Sequence, residues 1–136
     1  MRIAVINVPA TRKGIQDYVK ALAKGMEAKG HNVDILDVWT EDGFRLPGYE
    51  YVAVCAEAVS GWGGKTPEIL SKFLTCGSGL VGKKSAAFIK KTSPFFVTRS
   101  LTNLMRVMEK EGMMINWCDI IFNAPHAEAL GKRIGA

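Results

Sequence analysis

Five short, continuous apolar runs constrain the fold of this chain more than any other feature of its sequence. The runs are IAVIN, VDILDV, YVAVCAEA, SAAFIK and INWCDIIFNA, at residues 3–7, 33–38, 51–58, 85–90 and 115–124. Apolar runs of this length are typical of strands that are covered on both faces. Because helical segments separate most of them, the sequence predicts a parallel sheet with helices on both faces.

Apolar residues recur at helical spacing in the segments between these runs. Gly30 ends the first predicted helix and Gly112 ends the third, since glycine is common just after a helix C-terminus. The apolar positions of the first helix are Ile15, Tyr18, Val19, Leu22, Ala23 and Met26, and those of the third are Leu101, Leu104, Met105 and Met108.

Two further helices are predicted from the residues that open them. The stretch TPE at 66–68 offers an N-cap, a proline in the first turn and an acidic side chain beside the helix N-terminus. Asn123 and Pro125 open a short last helix. The segment WTEDGFRLPGYE (39–50) is too rich in turn formers for more than one helical turn.

The chain has 136 residues, a length that fits one domain. Right-handed crossovers between five parallel strands favour the strand order 2-1-3-4-5. In that order, a ligand crevice lies outside the C-terminal ends of strands 1 and 3. The loops at residues 8–14, 56–65 and 90–99 are therefore predicted to meet at one edge of the sheet.

The net charge of +5 is concentrated in one part of the chain. No Asp or Glu occurs between Glu68 and Glu109, and that stretch contains Lys72, Lys83, Lys84, Lys90, Lys91, Arg99 and Arg106. Most of these side chains fit solvated positions on helices and strand ends. Lys90 and Lys91 follow the fourth strand, where a site for an anionic ligand is predicted.

The cysteine content and the absence of long apolar stretches predict where the protein resides. Cys55, Cys76 and Cys118 are an odd number and lie in or beside apolar runs, so we expect buried, reduced thiols. No stretch reaches the roughly 20 apolar residues of a membrane span, and no leader pattern opens the chain. We therefore expect a soluble cytoplasmic protein with no membrane partner.

Several other kinds of site are excluded by the residues that they require. A receiver-type Mg²⁺ site needs acidic residues after strands 1 and 3, and Glu57 stands alone. No Gly-x-Gly-x-x-Gly turn or P-loop follows the first strand. His31 and His126 are predicted to lie far apart, so we expect no metal site. Nucleic-acid binding is a minor alternative, since no binding module is recognisable.

Three stretches of this sequence resemble the flavodoxin-like superfamily. They are YEYVAVCAEAVSGWGGKTPEILSKFL (49–74), which is similar to the third strand, second flavin loop and following helix, GKKSAAFIK (82–90), which is similar to the fourth strand, and AEALGKRI (127–134), which is similar to the last helix. The resemblance covers nearly the whole chain. It implies the flavodoxin-like fold, an α/β three-layer sandwich with sheet order 2-1-3-4-5, and non-covalent binding of FMN for electron transfer or flavin-dependent reduction.

The first loop, VPATRKGIQD (8–17), departs from the Thr-Gly core of flavodoxins, and Pro9 has no N–H to donate. Its segment Thr11-Arg12-Lys13-Gly14 more closely resembles NADPH-dependent FMN reductases. In the functional interpretation, Thr11 contacts a phosphate, Arg12 or Lys13 neutralises it, and Gly14 lets it approach the backbone. In the alternative, Thr11 is only an N-cap and the two charges are solvated.

The second loop, AVSGWGGK (58–65), has a composition suited to a flat aromatic ligand. Trp62 offers a stacking surface, and the neighbouring Ser60, Gly61 and Gly63 offer polar and backbone groups. Alternatively, Trp62 belongs to an interface with a partner or a second copy.

The third loop, KKTSPFFVTRS (90–100), offers Thr92 and Ser93 as hydrogen-bond donors. Phe95 and Phe96 form either a second wall of the site or a small cluster under the loop. No catalytic acid or base is predicted. The competing hypothesis is a flavin-free interaction or assembly module of the same fold, and a homodimer fits either hypothesis.

Overall fold

The computed structural model of the protein describes residues 2–8, 14–40, 48–57, 68–76, 80–90 and 97–134. Along the chain these residues form β1 (Arg2–Val8), α1 (Asp17–Glu27), β2 (Asn32–Asp37), β3 (Tyr51–Glu57), α2 (Glu68–Cys76), β4 (Lys84–Lys90), α3 (Val97–Lys110), β5 (Met114–Ile121) and α4 (Ala124–Gly131).

The strands form one parallel sheet in the order β2-β1-β3-β4-β5, which confirms the predicted α/β sandwich. The central strands β1, β3 and β4 are buried along most of their length. The edge strand β2 alternates between exposed and half-buried residues over its first part, and β5 does so over most of its length. Helices thus cover both faces of the central strands, whereas each edge strand keeps one side open to water.

Two apolar layers hold the helices on the sheet. The α1/α4 layer includes Ile3 and Val5 of β1 and is covered by residues of α1 and α4, such as Leu22 and Leu130. The α2/α3 layer lies on the other face and is filled by large side chains, such as Leu74 of α2 and Leu104 and Met108 of α3. Alternate residues of each strand point into alternate layers, as the period of a strand requires.

In the α1/α4 layer, two glycines let the helix backbones touch. A Cβ atom on Gly25 would collide with the carbonyl oxygen of Glu128, and one on Gly131 would collide with that of Leu22. Only glycine therefore fits where α1 and α4 cross. The distance between these helices is set by backbone contact rather than by side-chain size.

The predicted helix ends are confirmed at three positions. Gly30 after α1 and Gly112 after α3 have φ angles of 87° and 82°, in the left-handed region that glycine tolerates. Asn123 is the N-cap of α4, and its side chain accepts a hydrogen bond from the backbone N–H of His126 at 2.9 Å. Because Asn123 caps α4, β5 ends at Ile121, three residues before the predicted end of this strand.

The start of α1 differs from the prediction. The helix begins at Asp17 with Gln16 at the N-cap, so the interpretation of Thr11 as the N-cap of this helix is wrong. Ile15, predicted on the apolar face, precedes the helix and is 39% exposed. Ile15 matches the helical spacing of the apolar residues by chance. The backbone turns at Gly14, which has a φ of 78°, and the helix begins only after Ile15.

The cysteine prediction is confirmed at one position and wrong at another. Cys55 is buried in the middle of the sheet, but Cys118 is exposed on β5. β5 carries one extra residue relative to β4, since Ser85 pairs with Ile115 and Ala86 with Trp117. The apolar run that contains Cys118 lies at the edge of the sheet, where neither face is fully covered. The side chain of Cys76 lies outside the described residues.

The connection between β2 and β3 agrees with the prediction of at most one helical turn. No α-helix lies in residues 38–40 and 48–50, Gly48 has a 3₁₀ conformation, and residues 41–47 are not among those described. None of the described helices has the length and apolarity that a membrane crossing requires.

Candidate functional site

The candidate site lies along the C-terminal edge of the sheet, which is the side at which the parallel strands end. Val8 of β1 pairs with Ala56 of β3, and Glu57 of β3 pairs with Lys90 of β4. The chain therefore leaves these three strands from adjacent positions at one edge. The predicted convergence of the three loops is supported by this register, because each loop starts from that edge.

Most of the predicted site residues fall outside the described part of the chain. These are Thr11, Arg12 and Lys13 of the first loop, Ser60, Gly61, Trp62 and Gly63 of the second, and Thr92 and Ser93 of the third, together with Lys91, Phe95 and Phe96. Their roles remain predictions. Gly14 is the predicted contact whose position the structure describes.

Gly14 ends the first loop in a conformation that suits glycine. Its φ is 78°, and a Cβ atom there would meet none of the described residues within 4 Å. Its carbonyl oxygen accepts a hydrogen bond from Nδ2 of Asn7 at 2.9 Å. This hydrogen bond ties the end of the loop to Asn7, the second-last residue of β1. No described atom blocks a ligand from the Cβ side of Gly14.

Asn7 is a polar residue beneath the candidate site whose contact sequence reasoning missed. The side chain is fully buried near the end of β1, in the α1/α4 layer. Since a carbonyl oxygen only accepts, the bond to Gly14 fixes which end of the Asn7 amide is Nδ2. Oδ1 is then a buried acceptor with no partner among the described residues. The available signal was a polar residue within the otherwise apolar IAVIN.

Charged and polar groups follow β3 and β4. Nε2 of Gln16, at the start of α1, donates to a carboxylate oxygen of the half-buried Glu57 at 2.7 Å. The ammonium group of Lys90 donates to the carbonyl oxygen of Phe122 at 3.0 Å, linking β4 to the end of β5. Among the described residues, the ends of β3 and β4 therefore place one acidic and one basic side chain beside the amide of Gln16.

Two titratable side chains packed beneath this edge, Tyr18 and Cys55, have raised pKa values. Burial, with smaller contributions from Cys55 and Glu57, raises the pKa of Tyr18 well above its ordinary value, and its hydroxyl is a second buried polar atom without a partner. Burial also raises the pKa of the Cys55 thiol. A thiol in this environment stays protonated and is a poor nucleophile.

His126 lies beside the same edge at the start of α4. Its Nδ1 accepts a hydrogen bond from the backbone N–H of Phe122 at 3.2 Å, and the two rings lie 5.3 Å apart. The imidazole therefore holds the turn between β5 and α4. His31 lies at the N-terminal end of β2, far from His126 as predicted. No described group of three His, Cys, Asp or Glu residues has the geometry of a metal site.

Comparison with known proteins identifies the fold through structure rather than through sequence. No protein-family model matches the chain, and no curated protein is similar to it in sequence. A flavodoxin from the domain Archaea superposes with a TM-score of 0.73 at 19% identity, covering 98% of this chain and 96% of that one.

The chain has the flavodoxin-like fold. Flavodoxin 2 from Bacillus cereus, at 14% identity and a TM-score of 0.73, covers 96% of this chain and 95% of its own. A WrbA-like flavodoxin from Agrobacterium tumefaciens, at 15% identity and a TM-score of 0.69, covers 98% and 94%. The flavodoxin-like fold thus accounts for the whole chain without a large insertion or deletion.

Proposed function

We propose that the protein binds FMN non-covalently at the C-terminal ends of β1 and β3, and that the flavin serves electron transfer or flavin-dependent reduction. The strand order carries the proposal, because it reverses direction between β1 and β3. Ligands of open parallel sheets bind in the crevice at this point. The end-to-end likeness to flavodoxins supports the same location.

The described residues fit a ligand with an anionic group. Gln16 makes no side-chain cap on α1, so the N–H groups of Asp17 and Tyr18 would be available to an anion, whereas that of Val19 bonds to the carbonyl oxygen of Gln16. No described atom covers the Cβ side of Gly14. The buried side chain of Asn7 would act indirectly, by holding Gly14 in place through its hydrogen bond.

The proposal assigns different parts of FMN to different residues. Thr11, Arg12, Lys13 and Gly14 would hold the phosphate, so that charge replaces the hydroxyls of the usual flavodoxin loop. Ser60, Gly61, Trp62 and Gly63 would hold the ring by stacking and backbone contacts, and Thr92 and Ser93 would contact its polar edge. When bound, the flavin would supply the redox chemistry, and the protein would orient it and exclude water.

A titration of purified protein with FMN tests the proposal. Binding is expected to quench flavin fluorescence and to raise the melting temperature as the FMN concentration rises. Trp62→Ala is expected to weaken the binding of both FMN and riboflavin, since both contain the ring. If FMN causes neither quenching nor thermal stabilisation at high concentration, the flavin proposal fails and the flavin-free interaction module takes its place.

The phosphate assignment has a test of its own. The double variant Arg12→Ala/Lys13→Ala is expected to lose affinity for FMN while its affinity for riboflavin is unchanged. Lys20→Ala/Lys24→Ala is the matched control, because it removes the same charge from exposed positions on α1. Equal losses in both double variants would mean that net charge, rather than a phosphate contact, governs binding.

A further inference from the structure

The outer edge of β5 carries little charge, and its protection is limited to a β-bulge near the start of the strand and to Asp119, whose side chain occupies the N–H of Ile120. β5 closes one side of the sheet, and within the described residues no strand pairs with that edge. Exposed edges are normally blocked by Lys, Pro or inward charges, because their free N–H and C=O groups pair readily with other chains. The β5 sequence MINWCDII contains no Lys, Arg or Pro, and Asp119 is its one charged residue.

The opposite edge strand is protected against pairing with itself. β2 has the sequence NVDILD, with carboxylates at Asp34 and Asp37. In an antiparallel pair of β2 strands centred near Asp34, the two exposed Asp34 carboxylates would lie close together, and like charges across a strand pair are destabilising. β5 therefore differs from β2 in having little charge to oppose self-pairing.

The charges next to β5 are complementary to those of a second copy. The Arg133 guanidinium lies over the Trp117 ring, 5.1 Å from its centroid. Asp119 is half-buried, and its Oδ1 accepts from the N–H of Ile120 at 2.8 Å. If two β5 strands pair antiparallel about Cys118, residue 117 of one copy lies opposite residue 119 of the other. Arg133 of each copy then lies beside Asp119 of its mate.

We propose that the outer edge of β5 is a self-association surface, at which two copies pair their β5 strands antiparallel about a two-fold axis at Cys118. The five strands of each copy join into one continuous sheet. The symmetry repeats the Arg133–Asp119 pair on both sides of the axis. The surface lies on β5 and α4, so it does not depend on flavin binding.

Charge reversal tests the proposed pairing. Asp119→Arg and Arg133→Asp each place like charges across the interface, so each variant alone is expected to dimerise at least about tenfold more weakly than the wild type in sedimentation equilibrium. A mixture of the two variants is expected to form a heterodimer with wild-type strength, because both charge pairs are restored. Rescue in the mixture separates an interface from damage within one chain.

Cross-linking provides a second measurement on the wild-type protein. Cα atoms directly opposite each other in an antiparallel pair lie about 4.5–5.5 Å apart, so a short bis-maleimide is expected to join the two exposed Cys118 thiols. Cys118→Ser should abolish the cross-link and keep the dimer. A wild-type protein that stays monomeric at all concentrations overturns the proposal. A dimer that both charge reversals leave intact, or that cross-links without Cys118, overturns it as well.

Discussion

The α1/α4 layer and the α2/α3 layer cover opposite faces of the same sheet, but they are packed by different means. In the α2/α3 layer, large side chains such as Leu104 and Met108 fill the space between helix and strand. In the α1/α4 layer, Gly25 and Gly131 bring two helix backbones into contact. A side chain can adopt another rotamer to absorb a change, whereas a backbone contact has no such freedom.

The two layers also differ in buried polar groups. Asn7, Tyr18 and Trp117 have buried polar atoms without partners in the α1/α4 layer, whereas Ser100 is the described example on the other side. The three described groups with raised pKa values, Tyr18, Tyr51 and Cys55, also lie in the α1/α4 layer. Such groups cost stability and are common near functional sites. Tyr51 opens β3, at the end of the sheet opposite the candidate site, so burial in this layer rather than proximity to the site accounts for its raised pKa.

The largest expected effect comes from a methyl group added where α1 crosses α4. Gly25→Ala is expected to lower the free energy of unfolding by about 4 kcal/mol or more, because the new Cβ collides with the backbone at Glu128. Lys24→Ala on the exposed side of the same helix is the control and should change stability little. Chemical denaturation measures both, and equal small effects would contradict a crossing fixed by backbone contact.

A cavity in the other layer is expected to have the next largest effect. Leu104→Ala should cost about 3 kcal/mol, since Leu104 is fully buried in the α2/α3 layer and the space left behind closes only in part. Leu104→Met keeps most of the volume and should cost about 1 kcal/mol. The contrast between the layers would lose its basis if Gly25→Ala proved milder than Leu104→Ala in the same denaturation series.

Alkaline pH is expected to destabilise the α1/α4 layer. Burial raises the pKa of Tyr51 to about 12, so the folded protein keeps a proton that the unfolded chain releases near pH 10. The stability contributed by Tyr51 is therefore complete below about pH 10 and is lost as the pH rises towards 12. The raised pKa values of Tyr18 and Cys55 act in the same direction.

Unfolding curves measured at several pH values between neutral and strongly alkaline check this dependence. Tyr51→Phe removes one titrating group and should flatten the loss of stability with rising pH. Hydrogen exchange is expected to show α1 and α4 opening before α2 and α3 at high pH. A pH dependence that Tyr51→Phe leaves unaltered would rule out the assigned cause.

The smallest expected effect distinguishes two tyrosines in the same layer. Tyr18→Phe removes a hydroxyl that has no partner among the described residues, so stability should change by less than about 0.5 kcal/mol. Tyr51→Phe removes a hydroxyl that donates to Oδ1 of Asn116 at 2.6 Å, and at neutral pH it should cost about 1 kcal/mol. A loss at Tyr18 as large as that at Tyr51 would show that the Tyr18 hydroxyl has a partner in solution.

The elements of the fold were largely predictable, because each depends on residues close in sequence. Apolar runs indicated all five strands, and Gly30, Gly112 and Asn123 indicated helix ends through backbone and capping preferences that act locally. The start of α1 was mispredicted because Ile15 matches the helical period without joining the helix. Cys118 was mispredicted because an edge strand and a central strand have similar compositions.

The candidate site was predictable in location and less so in detail. The order of elements indicated which loops meet, but the hydrogen bond from Asn7 to Gly14 joins residues whose relationship depends on the path of the loop between them. The contact between Gln16 and Glu57 joins residues far apart in the sequence. Neither contact has a local signal, since amide and carboxylate side chains are common near strand ends.

The sequence by itself determined the alternation of strands and helices and the position of the loops that follow β1, β3 and β4. These follow from apolar periodicity and turn chemistry, which act over a few residues. The tertiary structure decided that Gly25 and Gly131 meet, that Asn7 is buried with an oxygen that no described residue pairs, and that β5 presents an edge with little charge. Those features depend on which distant segments become neighbours, and that is known only after the helices have packed on the sheet.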